Sequence, residues 1–264
     1  MTTSFETLRL EVRDGVAHLV LNRPDAANSI TLELARELDV VSRQLREDLS
    51  VRAVLLTGAG KMFCGGGDVK AFADQGSELP AHLREITTFL HTAISRLVRC
   101  DAPIIAGVHG SAAGAGLGLV AAADLVVAAE SAKFVMAYTG IGLTPDGSST
   151  WFLPRLVGVR RAMELTLTNR VLTAPEALDW GLVNRVVPDD QLATEAQGLA
   201  ALLAAGPTRS LGAAARLIRQ SLDETLESQM ERESEVLSEV AGRPDAAEGL
   251  AAFVDKRAPR FTGR

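Results

Sequence analysis

The stretch that decides the fold is Ala106-Gly-Val-His-Gly-Ser-Ala-Ala-Gly114-Ala-Gly116-Leu-Gly118, the middle of an uncharged run from Pro103 to Ala123. The run is long enough to span a bilayer. It nevertheless holds five glycines, together with His109 and Ser111. It breaks naturally into a buried strand over Ile104 to Val108, a Gly-rich turn and a short helix, so the sequence reads as a corner of an α/β core with no membrane span. A second corner has the same grammar. Leu55-Leu-Thr-Gly-Ala-Gly60 is followed by Phe63-Cys-Gly-Gly-Gly-Asp68, a strand end, then small residues, then a helix start. Each corner presents free backbone N–H groups at a helix N-terminus, where a phosphate or a developing oxyanion is favoured. Tight helix-strand packing requires the same small residues, so one corner alone does not establish a site.

Outward from these corners the chain alternates strands and helices. Glu6 to Arg13 and Val16 to Leu21 read as strands joined at Asp14-Gly15, a strong hairpin signal. Thr31 to Leu49 reads as an amphipathic helix with Leu34, Leu38, Val41, Leu45 and Leu49 on one stripe. Val51 to Thr57 and Leu125 to Ala128 are buried-type strands. Glu78 to Val98 and Val159 to Thr168 are helical, and Thr173-Ala-Pro-Glu176 is a capping box opening a short helix that ends at Trp180-Gly181. Val183 to Val187 is a last short strand. From residue 189 onward only helical patterns occur, broken at Gly206-Pro207, near Leu222 and at Gly242-Arg-Pro244. The expected organisation is an α/β core over 1–188 and a helical C-terminal region over 189–264, which either covers the core or pairs with another subunit.

Composition narrows the function. A chain of 264 residues with 47% hydrophobic and 23% charged residues can bury a large core, which excludes a disordered or disulfide-stapled scaffold. Eleven aromatic residues and a net charge of −6 argue against a base-stacking nucleic-acid reader. Cys64 and Cys100 cannot build a disulfide framework, and the N-terminus lacks a secretory pattern, so a reducing cytoplasmic location is expected. Four scattered histidines give no metal spacing. Gly60-Lys61 lacks the upstream glycine and following Ser or Thr of a phosphate-binding loop, and Gly114-x-Gly116-x-Gly118 has the wrong spacing for a dinucleotide fingerprint. No Gly-x-Ser-x-Gly elbow occurs.

Taken together, six segments in order resemble the enoyl-CoA hydratase/isomerase family, also called the crotonase superfamily. They are Leu21-Asn-Arg-Pro24, Arg52 to Gly58, Phe63 to Asp68, Pro103 to Asp124, Gly142-Leu-Thr-Pro-Asp146 and Trp180-Gly-Leu-Val-Asn184. The resemblance implies a crotonase (ClpP-like) spiral of ββα repeats with a C-terminal helical trimerisation region, assembled as a trimer or dimer of trimers. It also implies an acyl-CoA thioester substrate whose enolate is stabilised, with no separate cofactor and no metal. By position, the oxyanion-hole donors would be the backbone N–H groups of Gly67 and Ala115. Ala115 stands where relatives commonly carry Gly, which a backbone donor tolerates if φ is negative. Gly65, Gly114, Tyr138 and Asp68 fall beside them as candidate substrate contacts, although Asp68 reads first as a helix cap. Arg23, Lys70, Lys256 and Arg257 are candidate partners for CoA phosphates, the last two across a subunit contact; each reads equally as a solvated charge.

The family's hydratases activate water with two glutamates, and the matching positions here are Gly118 and Tyr138. Without them a neutral water has no evident base, which argues against hydration. Asp146, in Thr144-Pro-Asp-Gly147, matches the Asp of the Δ3,Δ2-enoyl-CoA isomerase branch that includes the isomerase acting on the ring-epoxide of phenylacetyl-CoA. One carboxylate suffices for isomerisation, because the same base removes a proton and returns it two carbons away. Pro145-Asp146 reads equally as the first turn of a helix without a catalytic role. Leu153 to Val187 is also similar to 4-chlorobenzoyl-CoA dehalogenase, in which an Asp at position 146 attacks the ring and a His at position 91 is the base. His91 alone reads as an ordinary helix residue. The expectation is therefore an isomerase using Asp146, with a hydratase, a dehalogenase-like hydrolase and a non-catalytic acyl-CoA binding protein as alternatives.

Overall fold

The computed structural model describes residues 5–264. Strands β1 (Leu8–Arg13) and β2 (Val16–Leu21) form the expected hairpin, with Asp14 and Gly15 both at positive φ as a type I′ turn requires. Helix α1 (Leu32–Glu47) starts at a Thr31 cap and buries Leu34, Leu38, Val41 and Leu45; Leu49, expected on that stripe, lies beyond the helix and is exposed. Then follow β3 (Ala53–Gly58), α2 (Val69–Ala73), α3 (Leu79–Leu97), β4 (Ile104–Val108), β5 (Ser111–Ala113), α4 (Ala115–Ala122), β6 (Leu125–Ala129) and β7 (Lys133–Val135). After these come α5 (Ser149–Val157), α6 (Val159–Thr168), β8 (Leu172–Thr173), α7 (Ala174–Asp179) and β9 (Arg185–Val187). The predicted capping box between Thr173 and Glu176 is formed.

Six strands make one sheet in the order β1-β2-β3-β4-β6-β9, antiparallel at the hairpin and parallel beyond it. A second sheet, β5-β7-β8, lies alongside. Its strands are too short to leave a periodic signal, and the sequence reading missed all three. The logic of the pair of sheets is repetition. β4 enters the large sheet, β5 the small one, and α4 returns; β6 and β7 then repeat the step one position on. One turn earlier, Cys64 pairs with Ala112 beside β5. This is the spiral of ββα turns, with the buried strands Val54–Leu56, Ile104–Val108 and Val126–Ala129 at its centre.

The helical tail comprises α8 (Leu192–Ala204), α9 (Thr208–Ser221), α10 (Leu226–Ala241) and α11 (Pro244–Val254), with breaks where Gly206-Pro207, Leu222 and Pro244 predict them. Helix α8 packs on β3, β4 and β6, and its Ala196, Leu199 and Ala200 are core residues. The change at residue 189 thus separates strands from helices and is not the edge of the core. Helix α9 is clamped to the core by charge: Asp101 receives Arg209 and, at 2.6 Å, Arg216, while Arg219 meets Asp124 at 2.7 Å. Gly212 sits there because an added Cβ would lie 2.3 Å from the Asp101 backbone. Among the described residues no helix is long and apolar enough to cross a membrane.

Candidate active site

The two Gly-rich corners meet. Cys64 N–H donates to Ser111 C=O and Ala113 N–H donates to Cys64 C=O, so the segment ahead of α2 runs beside β5 in fixed register. Gly66, at φ +91°, approaches the Gly114 Cα so closely that an added Cβ would lie 3.4 Å from it and 2.9 Å from the Ala113 carbonyl oxygen. Only glycine fits both demands there. This pairing brings Gly67 and Ala115 onto one wall of a cavity of about 430 Å³. Among the described residues, neither N–H has a partner within the protein. Ala115 is not among the residues at positive φ, so its methyl group costs the backbone nothing.

The rest of the cavity is mostly apolar. Ile30, Phe72, Leu83, Ile86, Leu90 and Leu143 line it, α3 supplying one whole face. Asp146 and Arg84 are the only charged side chains among the lining residues. Of the residues expected from sequence, Gly65, Gly67, Gly114, Ala115, Tyr138 and Asp146 line this cavity. Asp68, Arg23, Lys70 and Lys256 do not. Asp68 caps α2 through Ala71 N–H at 3.2 Å and holds Arg23 at 3.1 Å. Burial works against its ionisation, but the Ala71 N–H, Arg23 and Ser29 outweigh it and hold the carboxyl below its usual range. Arg23 also donates to Ser29 C=O at 2.6 Å, so its charge is already spoken for. Lys70, on α2, and Lys256, past the end of α11, are exposed. Arg257, the fourth phosphate candidate, pairs with Glu248 at 2.7 Å.

Asp146 is not in the first turn of a helix, as Pro145-Asp146 allows. Helix α5 begins only at Ser149, and Gly147 and Ser148 are both left-handed, so the chain turns sharply before the helix starts. Asp146 C=O receives Ser149 N–H at 3.1 Å and Ser149 Oγ at 2.6 Å, which pins the turn. Its carboxylate is contacted from two sides. Tyr138 donates its hydroxyl to Oδ1, and His91 Nε2 stands 3.7 Å from Oδ2. Burial and then the neighbouring Asp146 charge push the Tyr138 phenol far above its ordinary range, so it stays protonated and remains a donor. Two turns beyond Arg84 on α3, His91 thus approaches the one acid of the cavity. It also receives Gly147 N–H at 3.2 Å.

One contact ties the acid to the oxyanion wall. A Cβ added at Gly118 would lie 2.5 Å from the Gly147 carbonyl oxygen, and one added at Gly147 would lie 3.5 Å from the Ala115 Cβ. Helix α4 and the Asp146-Gly147 turn are thus in direct backbone contact, and position 118 takes no side chain unless that backbone moves. Chemically the cavity offers one hydrogen-bonded carboxylate and two backbone N–H groups without a protein partner among the described residues. Sequence reasoning had singled out Gly67, Ala115 and Asp146, which the structure brings to this one cavity. It missed the α3 face with Leu83, Arg84 and Leu90, whose helical periodicity reports only that one side is covered.

The sequence matches the family model for enoyl-CoA hydratase/isomerase over residues 11–264. A 1,2-epoxyphenylacetyl-CoA isomerase of Escherichia coli is 41% identical over 261 residues, covering 98% of this chain and 99% of the relative. A 4-chlorobenzoyl coenzyme A dehalogenase of an Arthrobacter species is 39% identical over 250 residues, covering 94% and 91%. Among solved structures, an enoyl-CoA hydratase of Bacillus anthracis superposes with a TM-score of 0.91 at 32% identity, covering 98% of this chain and 100% of that one.

Proposed function

Because the chain belongs to the enoyl-CoA hydratase/isomerase family, we propose that it moves the double bond of an enoyl-CoA thioester with Asp146 as its single base. The thioester oxygen sits between the N–H groups of Gly67 and Ala115, where the developing enolate charge meets donors that need no reorganisation; in comparable sites one such donor is worth about 2.7–4 kcal/mol. Asp146 removes the proton between the carbonyl and the double bond, and the negative charge spreads onto the thioester oxygen and along the chain. The same carboxyl returns a proton two carbons away. Tyr138 keeps the carboxylate turned toward the substrate by holding Oδ1.

The observation that carries this reading is the closure of position 118 by the Gly147 carbonyl oxygen, 2.5 Å from any added Cβ, in a cavity whose lining holds no acid besides Asp146. Activating water for hydration would require a second acid or base, and the space for one is filled by backbone. The proximity of His91 to Asp146 supports a second reading, in which Asp146 attacks an activated aromatic acyl group and His91 activates water, as a dehalogenase-like hydrolase would. The exposed apolar side chains of the tail, among them Ile218, Leu222, Leu237, Leu250 and Phe253, support a homo-oligomer, a trimer or a dimer of trimers. The two free, buried thiols, Cys64 and Cys100, support a reducing cytoplasmic setting.

The test offers purified protein a 3-enoyl-CoA, a 2-enoyl-CoA and 4-chlorobenzoyl-CoA side by side. Conversion of the first, lost by about 10²–10⁴-fold in Asp146→Asn, is the expected result. Rapid hydration of the second, or isomerisation that survives Asp146→Asn, overturns the reading. Chloride release from the third selects the hydrolytic alternative.

A further inference from the structure

Asp146 belongs to two cavities. Besides the one described above, it lines a second cavity of about 660 Å³ between α3, α5 and α9, and it is the only residue common to both linings. The second cavity has a mixed lining, with Ile94, Val98 and Phe152 among its apolar residues. Its wall includes Ser95, Ser148, Arg216, Arg219, Gln220 and Asp223, with Trp151 at one side. His91 lines this cavity and not the first, its side chain is 49% exposed, and its Nε2 faces Asp146 Oδ2 at 3.7 Å. Because Nε2 accepts Gly147 N–H, the neutral ring carries its proton on Nδ1. The two carboxylate oxygens thus face different groups: Oδ1 accepts the Tyr138 hydroxyl, while Oδ2 stands 3.7 Å from His91 Nε2 with no hydrogen bond between them.

We propose that the second cavity is the proton-exchange port of the active site and that His91 is the relay between Asp146 and solvent. This rests on Asp146 being the base. After Asp146 has taken a proton from the substrate, its Oδ2–H bond breaks as a bond to His91 Nε2 forms, in place of the hydrogen bond from Gly147. The carboxylate is regenerated, and the imidazolium releases its Nδ1 proton to water in the second cavity. Run backwards, the same path hands a solvent proton through the ring to Asp146 and on to the substrate. One proton leaves and one enters; nothing is oxidised or reduced. The charged groups that line the second cavity with His91 are Asp146, Arg99, Arg216, Arg219 and Asp223.

The consequence is measurable as isotope. In D2O, the product of 3-enoyl-CoA isomerisation should carry solvent deuterium at the carbon that receives the proton, and a saturated acyl-CoA should exchange its α-protons. Two variants probe the port. His91→Gln keeps a side-chain acceptor for Gly147 N–H but cannot relay, and Ser95→Trp fills the second cavity one helical turn from an intact His91. Both should lower deuterium incorporated per turnover by about tenfold or more; a smaller folded fraction leaves that ratio unchanged, and slower proton return alone raises it. Unchanged incorporation in both variants, or none in the unaltered protein, overturns the relay. If the unaltered protein fails to isomerise yet exchanges α-protons through Asp146, the isomerase reading falls and the relay is judged by the exchange alone. If exchange survives Asp146→Asn undiminished, both fall.

Discussion

Substituting Gly118 by Ala adds one methyl group on α4 where it meets the turn that carries Asp146. Its carbon would lie 2.5 Å from the Gly147 carbonyl oxygen, which must retreat by most of an ångström. The obstacle is backbone, so no side-chain rotation relieves it. Overpacking of this kind costs about 1–3 kcal/mol, and the better helix propensity of Ala within α4 returns about 1 kcal/mol. The net loss of at most about 2 kcal/mol corresponds to a Tm lower by up to about 8 °C for a chain near this size. The effect on turnover should be larger than that. Gly147 is bonded to Asp146 and packs against Ala115, so its retreat displaces the base relative to the oxyanion donors, and a misplacement near 1 Å costs about 10²-fold. Steady-state isomerase assays and thermal melts on the same preparations test this, with Gly118→Glu alongside as the side chain a hydratase would carry. A Gly118→Ala protein within about threefold of the parent rate would refute the claim that this backbone contact sets Asp146. A Gly118→Glu protein that hydrates a 2-enoyl-CoA would refute the claim that the position is closed.

Tyr138→Phe removes the hydroxyl that holds Asp146 Oδ1 and should lower kcat by about 10–150-fold, the value of a hydrogen bond to a charged group, with KM nearly unchanged; an unaltered kcat would remove Tyr138 from the mechanism. Burial pushes the Cys64 and Cys100 thiols up to about 11. Their protonated form is therefore favoured by folding, so their stabilising contribution is complete below the ordinary thiol range and is lost as pH rises toward about 11, at up to about 1.4 kcal/mol per pH unit for each thiol. Denaturant titrations at pH 8, 9.5 and 10.5 should show stability falling over that range, and substitution of both cysteines by Ala should flatten the fall; an equal slope in the substituted protein would exclude the thiols as its cause.

Local pattern carried much of this fold. The Asp14-Gly15 hairpin, the apolar stripe of α1, the Thr173–Glu176 capping box and the helix breaks at Gly206-Pro207 and Pro244 are all written in residues a few positions apart, because backbone conformation and burial of one face depend on near neighbours. The two Gly-rich corners were legible for the same reason, whereas the expectation that Gly118 and Tyr138 stand where the family's hydratases carry glutamates came from the resemblance. Other features left no such trace. β5, β7 and β8 are two or three residues each, too short for a period of two to show, and their pairing depends on partners far along the chain.

From the residues alone it follows that an acid at 146 accompanies two backbone-donor corners, in a chain resembling a family that handles acyl-CoA thioesters. What that acid touches is a matter of packing. His91 is 55 residues away in the chain and Gly118 is 28, yet the first stands 3.7 Å from the Asp146 carboxylate and the second is sealed by the neighbouring Gly147 carbonyl. Side-chain periodicity states that α3 buries a face, and the wholly apolar sequence of α4 that it is buried all round. Only the packing of α3, α4 and the turn before α5 against one another states which residues meet there, since close approach between distant segments is fixed by the shape of the whole core.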